Sequence, residues 1–210
     1  TMRIAVCVKQ VPSGSARMDH ETGVLLRGEA AHALNPWDAC AIEAAVQTAE
    51  RTGSELTALS MGPASAVEAL RETIAMGAQH GVLLCDKAFA GADVLATAFT
   101  LAQGIRLLGG FDLIFCGQQT TDGDTAQFPF SLAVQLDAHI AGWVKKIECV
   151  STQNITVLQE LSSGTQRLTA PFSAIVAVGR EAVKPRIPTL KSRLRAKSVE
   201  IRCLTLADMP

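Results

Sequence analysis

The segments "FDLIFC" (Phe111–Cys116), "GQQTTDGDTAQF" (Gly117–Phe128) and "PFSLAVQL" (Pro129–Leu136) follow one another without a break. The first is a short apolar run of the kind that forms a strand buried on both faces. The third opens on a proline, which suits the first turn of a helix. Between them lies a polar loop of about nine residues, longer than the usual strand-to-helix connection. A glycine-containing loop that feeds a helix N-terminus suggests a phosphate site. Yet this loop has no lysine or arginine, and it carries Asp122 and Asp124. In the plainest reading, Asp124 or Thr125 caps the helix and Asp122–Gly123 forms a tight turn. Main-chain N–H groups would then hold the phosphate while the carboxylates shape the loop around it.

Outward from this stretch the same unit recurs. "RIAVCVK" (Arg3–Lys9), "ELTALSM" (Glu55–Met61) and "HGVLLC" (His80–Cys85) are strand-like. "NPWDACAIEAAVQTAERTG" (Asn35–Gly53), "PASAVEALRETIAMG" (Pro63–Gly77) and "ADVLATAFTLAQGIRLLG" (Ala92–Gly109) are helical. Asn35 is the expected N-cap of the first helix, with Pro36 at its first position and Gly53 as its stop; Asp93 is the expected cap of the third. This alternation predicts an α/β fold, a parallel sheet with right-handed crossovers and helices on both faces. "ARMDHETGVLLRG" (Ala16–Gly28) predicts a hairpin turning at His20–Gly23. Gly142–Val150, Asn154–Leu161 and Thr165–Ala170 predict a small antiparallel meander, and apolar Phe172–Gly179 a strand that returns to the main sheet. The basic tail from Arg180, with Pro185, Pro188 and Pro210, reads as an extended C-terminal arm. The expected organisation is one α/β domain over 1–179 and an arm over 180–210.

Composition narrows the function. The 210 residues are 48% hydrophobic, too apolar for a disordered chain. The net charge of −1 gives no basic face for nucleic acid, although Lys191–Lys197 is locally basic. No apolar run approaches the length of a membrane span, and the N-terminus lacks the layout of a signal peptide. Cys7, Cys40, Cys85, Cys116, Cys149 and Cys203 lie dozens of residues apart with no C-x-x-C, so a zinc site or disulfide framework is not expected. Buried free thiols imply a cytoplasmic location. His20, His32, His80 and His139 are scattered and read as structural or solvated. There is no nucleophile elbow and no H-E-x-x-H. Binding without self-contained catalysis is expected, at the carboxyl ends of the strands, where open α/β sheets hold ligands. Lys9–Ser15, Met61–Ser65, Asp86–Asp93 and Gly117–Phe128 are the loops concerned.

The same residues carry a family resemblance. "MRIAVCVKQVP" (Met2–Pro12), "NPWDACAIEAAV" (Asn35–Val46), "SMGPASAVEALRETIAMGA" (Ser60–Ala78), "FAGADVLATA" (Phe89–Ala98), "CGQQTTDGDTAQ" (Cys116–Gln127) and "KPRIPTLKSRLRAK" (Lys184–Lys197) resemble, in order, the β subunit of electron transfer flavoproteins. The resemblance implies a fold of the adenine-nucleotide α-hydrolase-like type and a heterodimer with an α subunit. FAD would be shared with that α subunit, and AMP or a second FAD would sit in the β site. It places the nucleotide at Cys7, Lys9, Asn35, Pro36, Trp37, Asp38, Met61 and Gly62, and along Gln119, Thr120, Thr121, Asp122, Gly123, Asp124, Thr125, Ala126 and Gln127. It makes the arm a partner-recognition segment: Leu190 would anchor in an acyl-CoA dehydrogenase-like flavoenzyme, with Arg186, Arg195 and Lys197 beside it. No nucleic-acid partner is implied, and membrane contact would arise only through a quinone reductase.

The implied activity is passing electrons between a dehydrogenase, or NADH, and an acceptor. "DGDTAQ" is more like the electron-bifurcating members than the AMP-only ones. The family's usual loop has a basic residue where Gln118 stands, and "VGP" where "FPF" stands. The alternative is a non-redox adenine-nucleotide-binding module of the stress-protein type; an enzyme using adenylate chemistry ranks last, because the main loop has no cation for a triphosphate.

Overall fold

The computed structural model describes residues 2–13, 17–18, 25–26 and 31–209. In chain order the elements begin with β1 (Arg3–Cys7), β2 (Gln10–Ser13), β3 (Arg17–Met18), β4 (Leu25–Leu26), β5 (Ala31–Leu34) and α1 (Pro36–Thr52). Next come β6 (Glu55–Met61), α2 (Val67–Met76), β7 (His80–Leu84), α3 (Val94–Leu107), β8 (Leu113–Gly117) and α4 (Phe128–Leu136). The last are β9 (His139–Val150), β10 (Asn154–Leu161), β11 (Gly164–Pro171), β12 (Ala174–Val178), α5 (Leu190–Ser198) and β13 (Ile201–Leu204). One sheet has the order β11-β10-β9-β12-β8-β1-β6-β7-β13. From β9 to β13 in that order every neighbouring pair is parallel, and β10 and β11 extend the sheet antiparallel.

The α/β reading of the sequence holds. β1 shows why: Ile4 and Val6 enter one core, and Ala5 and Cys7 enter the other, so a strand covered on both faces must be apolar throughout. On one face Ile42 and Val46 of α1 and Leu70 and Ile74 of α2 pack over Ile4, Leu56 and Phe115. On the other, Leu101 and Ile105 of α3 and Leu132 of α4 pack over Ala5, Cys7 and Ile114. Each such fully buried side chain contributes roughly 1.5–3 kcal/mol before entropy is set against it. The chain runs from β1 outward to β6 and β7, then crosses to β8 on the other side of β1. The strand order reverses between β1 and β8, which is where such sheets open a ligand crevice.

The predicted antiparallel meander is present as β9, β10 and β11, continuous with the main sheet. β9 pairs parallel with β12 over its first half and antiparallel with β10 over its second, so it joins the two regions. The predicted hairpin is present as the β3–β4 pair; its turn at His20–Gly23 lies outside the described residues. β2 and β5 form a further antiparallel pair that flanks it.

The extended arm is a correction. Residues 184–189 form no regular element; α5 and β13 follow, and β13 pairs parallel with β7 at the sheet edge. Two arginines lock α5 against α2. Arg195 Nη2 donates to Ile74 O at 2.8 Å, at the end of α2, and Arg71 Nη1 donates to Val199 O at 3.0 Å and to Ala196 O, at the end of α5. Each cation thus serves the carbonyl end of the other helix, where the dipole is negative. The segment before α5 is held by Arg186, which pairs with Glu43 and Glu50 of α1 at 2.7 Å each.

Arg71→Ala is expected to lower stability to urea unfolding by about 1–3 kcal/mol through loss of charge-assisted bonds to carbonyls. Lys197→Ala, on the exposed face of α5, is expected to stay within about 0.5 kcal/mol. Equal effects would show that the helix-end bonds contribute little.

Candidate functional site

The crevice is built around one carboxylate. β1 and β8 lie side by side, with Cys7 opposite Cys116, and beyond them the chains part. Asp38, in the first turn of α1, fills the gap and is 4% exposed. Its Oδ2 accepts the Lys9 amide at 2.7 Å, and it also accepts from the Gly117 amide and the Asn35 side chain. Gly117 must be glycine here, because a Cβ would lie 2.4 Å from Asp38 Oδ1 and 2.8 Å from the Trp37 carbonyl carbon. Burial pushes the Asp38 carboxyl up to about 7, against the amides of Lys9 and Gly117, the Asn35 side chain and the Lys9 charge, which favour ionisation.

Asn35 is fully buried and does not cap α1 with its side chain, contrary to the sequence expectation. Its Nδ2 instead donates to Gln119 O at 2.9 Å, and its own amide donates to Lys9 O at 3.0 Å. It therefore ties the loop after β8 to the loop after β1. A second tie is the Lys9–Asp122 ion pair, at 2.7 Å. Burial opposes ionisation of Asp122, but hydrogen bonds from Lys9 and Thr120 outweigh it and hold the carboxyl below its usual range. One of the two aspartates in the lysine-free loop thus has its cation supplied by β1's own loop.

The loop itself is a turn followed by a change of backbone hand. Asp124 N donates to Thr120 O at 3.0 Å, and Gly123 N to Thr120 Oγ1 at 3.4 Å. Asp124 and Ala126 have φ of 47° and 53°, while Gln127 returns to the right-handed region at −94°. Neither Asp124 nor Thr125 caps α4: its N-cap residue is Gln127, and no side chain bonds the first turn. Among the described residues, the amides of Thr125, Ala126 and Gln127 donate to no protein group. Successive amides with alternating backbone hand, at the positive end of a helix, form an anion-binding concavity.

The other sequence-predicted residues fall around this edge. Pro36 and Trp37 open α1, and Met61 and Gly62 leave β6, with Gly62 N bonded to Leu84 O at 3.1 Å. Thr121 is exposed on the loop. Cys7 lies in the sheet beside Cys116, its side chain in the α3–α4 core rather than on the crevice. The six cysteines are free thiols, though Cys149 and Cys203 are exposed rather than buried. In the C-terminal segment Leu190 is 75% exposed, close in sequence to exposed Ile187 and Leu194, and Lys197 is exposed; Arg186 and Arg195 are engaged within the chain as described.

Sequence reasoning missed the partnerless atoms. Among the described residues three buried side-chain atoms have no hydrogen-bond partner: Asn35 Oδ1, Ser60 Oγ and Gln118 Nε2. Ser60 is the penultimate residue of β6, Gln118 follows β8, and Asn35 is bound to Lys9 after β1, so all three sit at the carboxyl edge. Orphaned buried polar atoms are rare enough in native folds to mark a place where something else binds. No helix among the described residues is long and apolar enough to cross a membrane.

Comparison with known proteins shows the family. A family model described as "Electron transfer flavoprotein domain" matches residues 22–209. The "Electron transfer flavoprotein subunit beta" of Thermoanaerobacterium thermosaccharolyticum is 38% identical over 210 residues, 99% of this chain and 80% of that protein. "Protein FixA" of Sinorhizobium fredii is 37% identical, over 95% of this chain and 73% of its own. The "Caffeyl-CoA reductase-Etf complex subunit CarD" of Acetobacterium woodii is 38% identical, over 88% and 71%.

Asp38 makes the site testable through stability. The folded chain keeps the Asp38 proton up to about pH 7, whereas the unfolded chain loses it near the ordinary 3.8. Between those values the folded state binds more protons, so this group's contribution falls as pH rises. Asp38→Asn is expected to remove that fall: relative to wild type, the variant gains stability between pH 4.5 and 7, by on the order of a few kcal/mol. Parallel urea-derived stability curves for the two proteins across that window would refute a buried, proton-retaining Asp38.

Proposed function

Because the chain belongs to the electron transfer flavoprotein family, as a β subunit, we propose that it binds AMP or a second FAD along the carboxyl edge of its sheet. Together with an α subunit, it would pass electrons from a dehydrogenase or NADH to an acceptor. The observation that carries the nucleotide reading is the convergence of three orphaned buried polar atoms and three undonated loop amides on that edge. The amides of Thr125, Ala126 and Gln127 suit a phosphate. Asn35 Oδ1 and Ser60 Oγ suit the polar edges of a base or ribose, which bring donors and acceptors that the protein lacks there. Lys9, 46% exposed at its side chain and paired with Asp122, brings a cation to the loop that would receive an anion.

The flavin shared with the α subunit supplies the redox chemistry; this chain contributes binding, orientation and contact surface. The partner dehydrogenase would meet α5 at Leu190, an apolar side chain held out on a rigid element. Lys197 would contribute charge, while Arg186 and Arg195 hold the segment in place from within. The resemblance of "DGDTAQ" to the electron-bifurcating members favours a second FAD over AMP alone. Six free thiols fit a cytoplasmic home.

The test is co-expression with the α subunit. The purified pair is expected to show a flavin absorption spectrum, to be reduced by an acyl-CoA dehydrogenase with its substrate or by NADH, and to release AMP or FAD from the β site on denaturation, identified by mass spectrometry. A flavin-free, redox-inert pair would sink the electron-transfer reading. A chain that ignores the α subunit and retains ATP would instead support the stress-protein alternative.

A further inference from the structure

Trp143 breaks the pattern of β9. It has φ of 51°, left-handed and strained for a bulky residue, and it is 45% exposed. Three contacts hold the strand in that shape. Trp143 N donates to Gln118 Oε1 at 2.6 Å, from a glutamine with no solvent exposure. The Phe130 ring packs so closely on Gly142 that a Cβ there would lie 2.7 Å from it. Gln159 Nε2 donates to Gly142 O at 2.8 Å. Gln118 opens the loop of the candidate site and Phe130 stands just past its end, so the loop's two ends bracket Gly142–Trp143. β9 is parallel to β12 at this level, with Val144 opposite Val178, and Val178 O accepts the Gln118 amide at 3.0 Å. The Trp143 main chain is therefore held at the carboxyl edge by the residue that opens the loop, and its side chain is 45% exposed. The same glutamine's Nε2 is buried and without a partner.

We propose that Trp143 is the stacking wall of this site, its face receiving the planar heteroaromatic ring of the bound nucleotide, with Gln118 Nε2 free to donate to an acceptor on that ring. This rests on the nucleotide reading of the loop. The physical case is that every base and flavin has a π-face, that a rigid indole loses little entropy on stacking, and that the fold accepts backbone strain to keep this one out of the core. A neutral carboxamide at position 118 suits the role: it can hold the Trp143 amide and still offer an N–H, whereas a cation has no acceptor for that amide.

The experiment uses the heterodimer, stripped of nucleotide and titrated separately with AMP and with FAD, for wild type, Trp143→Ala and Trp143→Phe. The alanine variant is expected to bind about tenfold more weakly, and the phenylalanine variant to recover most of the affinity, ring replacing ring. Nucleotide should quench wild-type tryptophan emission, and the phenylalanine variant should lose that part of the quench. Thermal melts check that each variant folds. Alanine binding equal to wild type overturns the assignment, as does a loss that phenylalanine shares in full. Loss of α-subunit association with nucleotide affinity intact also overturns it, marking a subunit contact instead. A wild-type pair that takes up neither nucleotide overturns the underlying reading as well, which separates the two failures.

Discussion

A single buried carboxylate sets the shape of the crevice. Where β1 and β8 part, two amides face a space closed to water, and an unbonded amide in such a place costs about 1–3 kcal/mol. Asp38 answers both, accepting from Lys9 and Gly117. The cost is that a group charged in water is held where charge is disfavoured. Its neighbours follow from that placement. Gly117 is confined to glycine by the carboxylate's own oxygen, and Asn35 is drawn from capping its helix into bridging two loops. The loop after β8 can then be polar and acidic without collapsing, since its position is set from the β1 side.

The parts of the fold that were legible in the sequence are those in which local pattern and tertiary role coincide. A strand covered on both faces has to be apolar in every position, and β1, β8 and β12 announce themselves that way. Asp93 caps α3 as expected, its Oδ1 accepting Ala96 N at 2.8 Å, because both partners lie within one turn. Asn35 defeats the same rule. Its side chain finds a carbonyl 84 residues away, and no local pattern carries that distance. Asp124 and Thr125 fail as caps for a related reason: the left-handed residues at 124 and 126 let the chain enter α4 without one.

The C-terminal segment was misread because its stability is borrowed. α5 has little apolar surface of its own, with only Ala196 buried, so periodicity gives it no core-facing stripe. What holds it is Arg71 reaching its carbonyl end and Arg195 reaching that of α2. A run such as "KSRLRAK" looks like solvated charge until the second helix is present. The nucleotide-edge residues were legible as a group through sheet topology and the family resemblance. Trp143 was not, since a strand residue turned outward by a buried glutamine has no signature of its own.

Strand β13 has a consequence for the order in which this molecule is made. Its partner β7 is an apolar strand complete by Leu84, yet the register joins Gly81 to Ile201 and Leu84 to Leu204. During synthesis the ribosome must add more than a hundred further residues before β13 can pair with β7. Until then β7 presents a bare ladder of amides and carbonyls, the kind of edge that recruits strands from other chains. Nascent forms of this protein therefore expose β7 until Ile201–Leu204 arrives to pair with it.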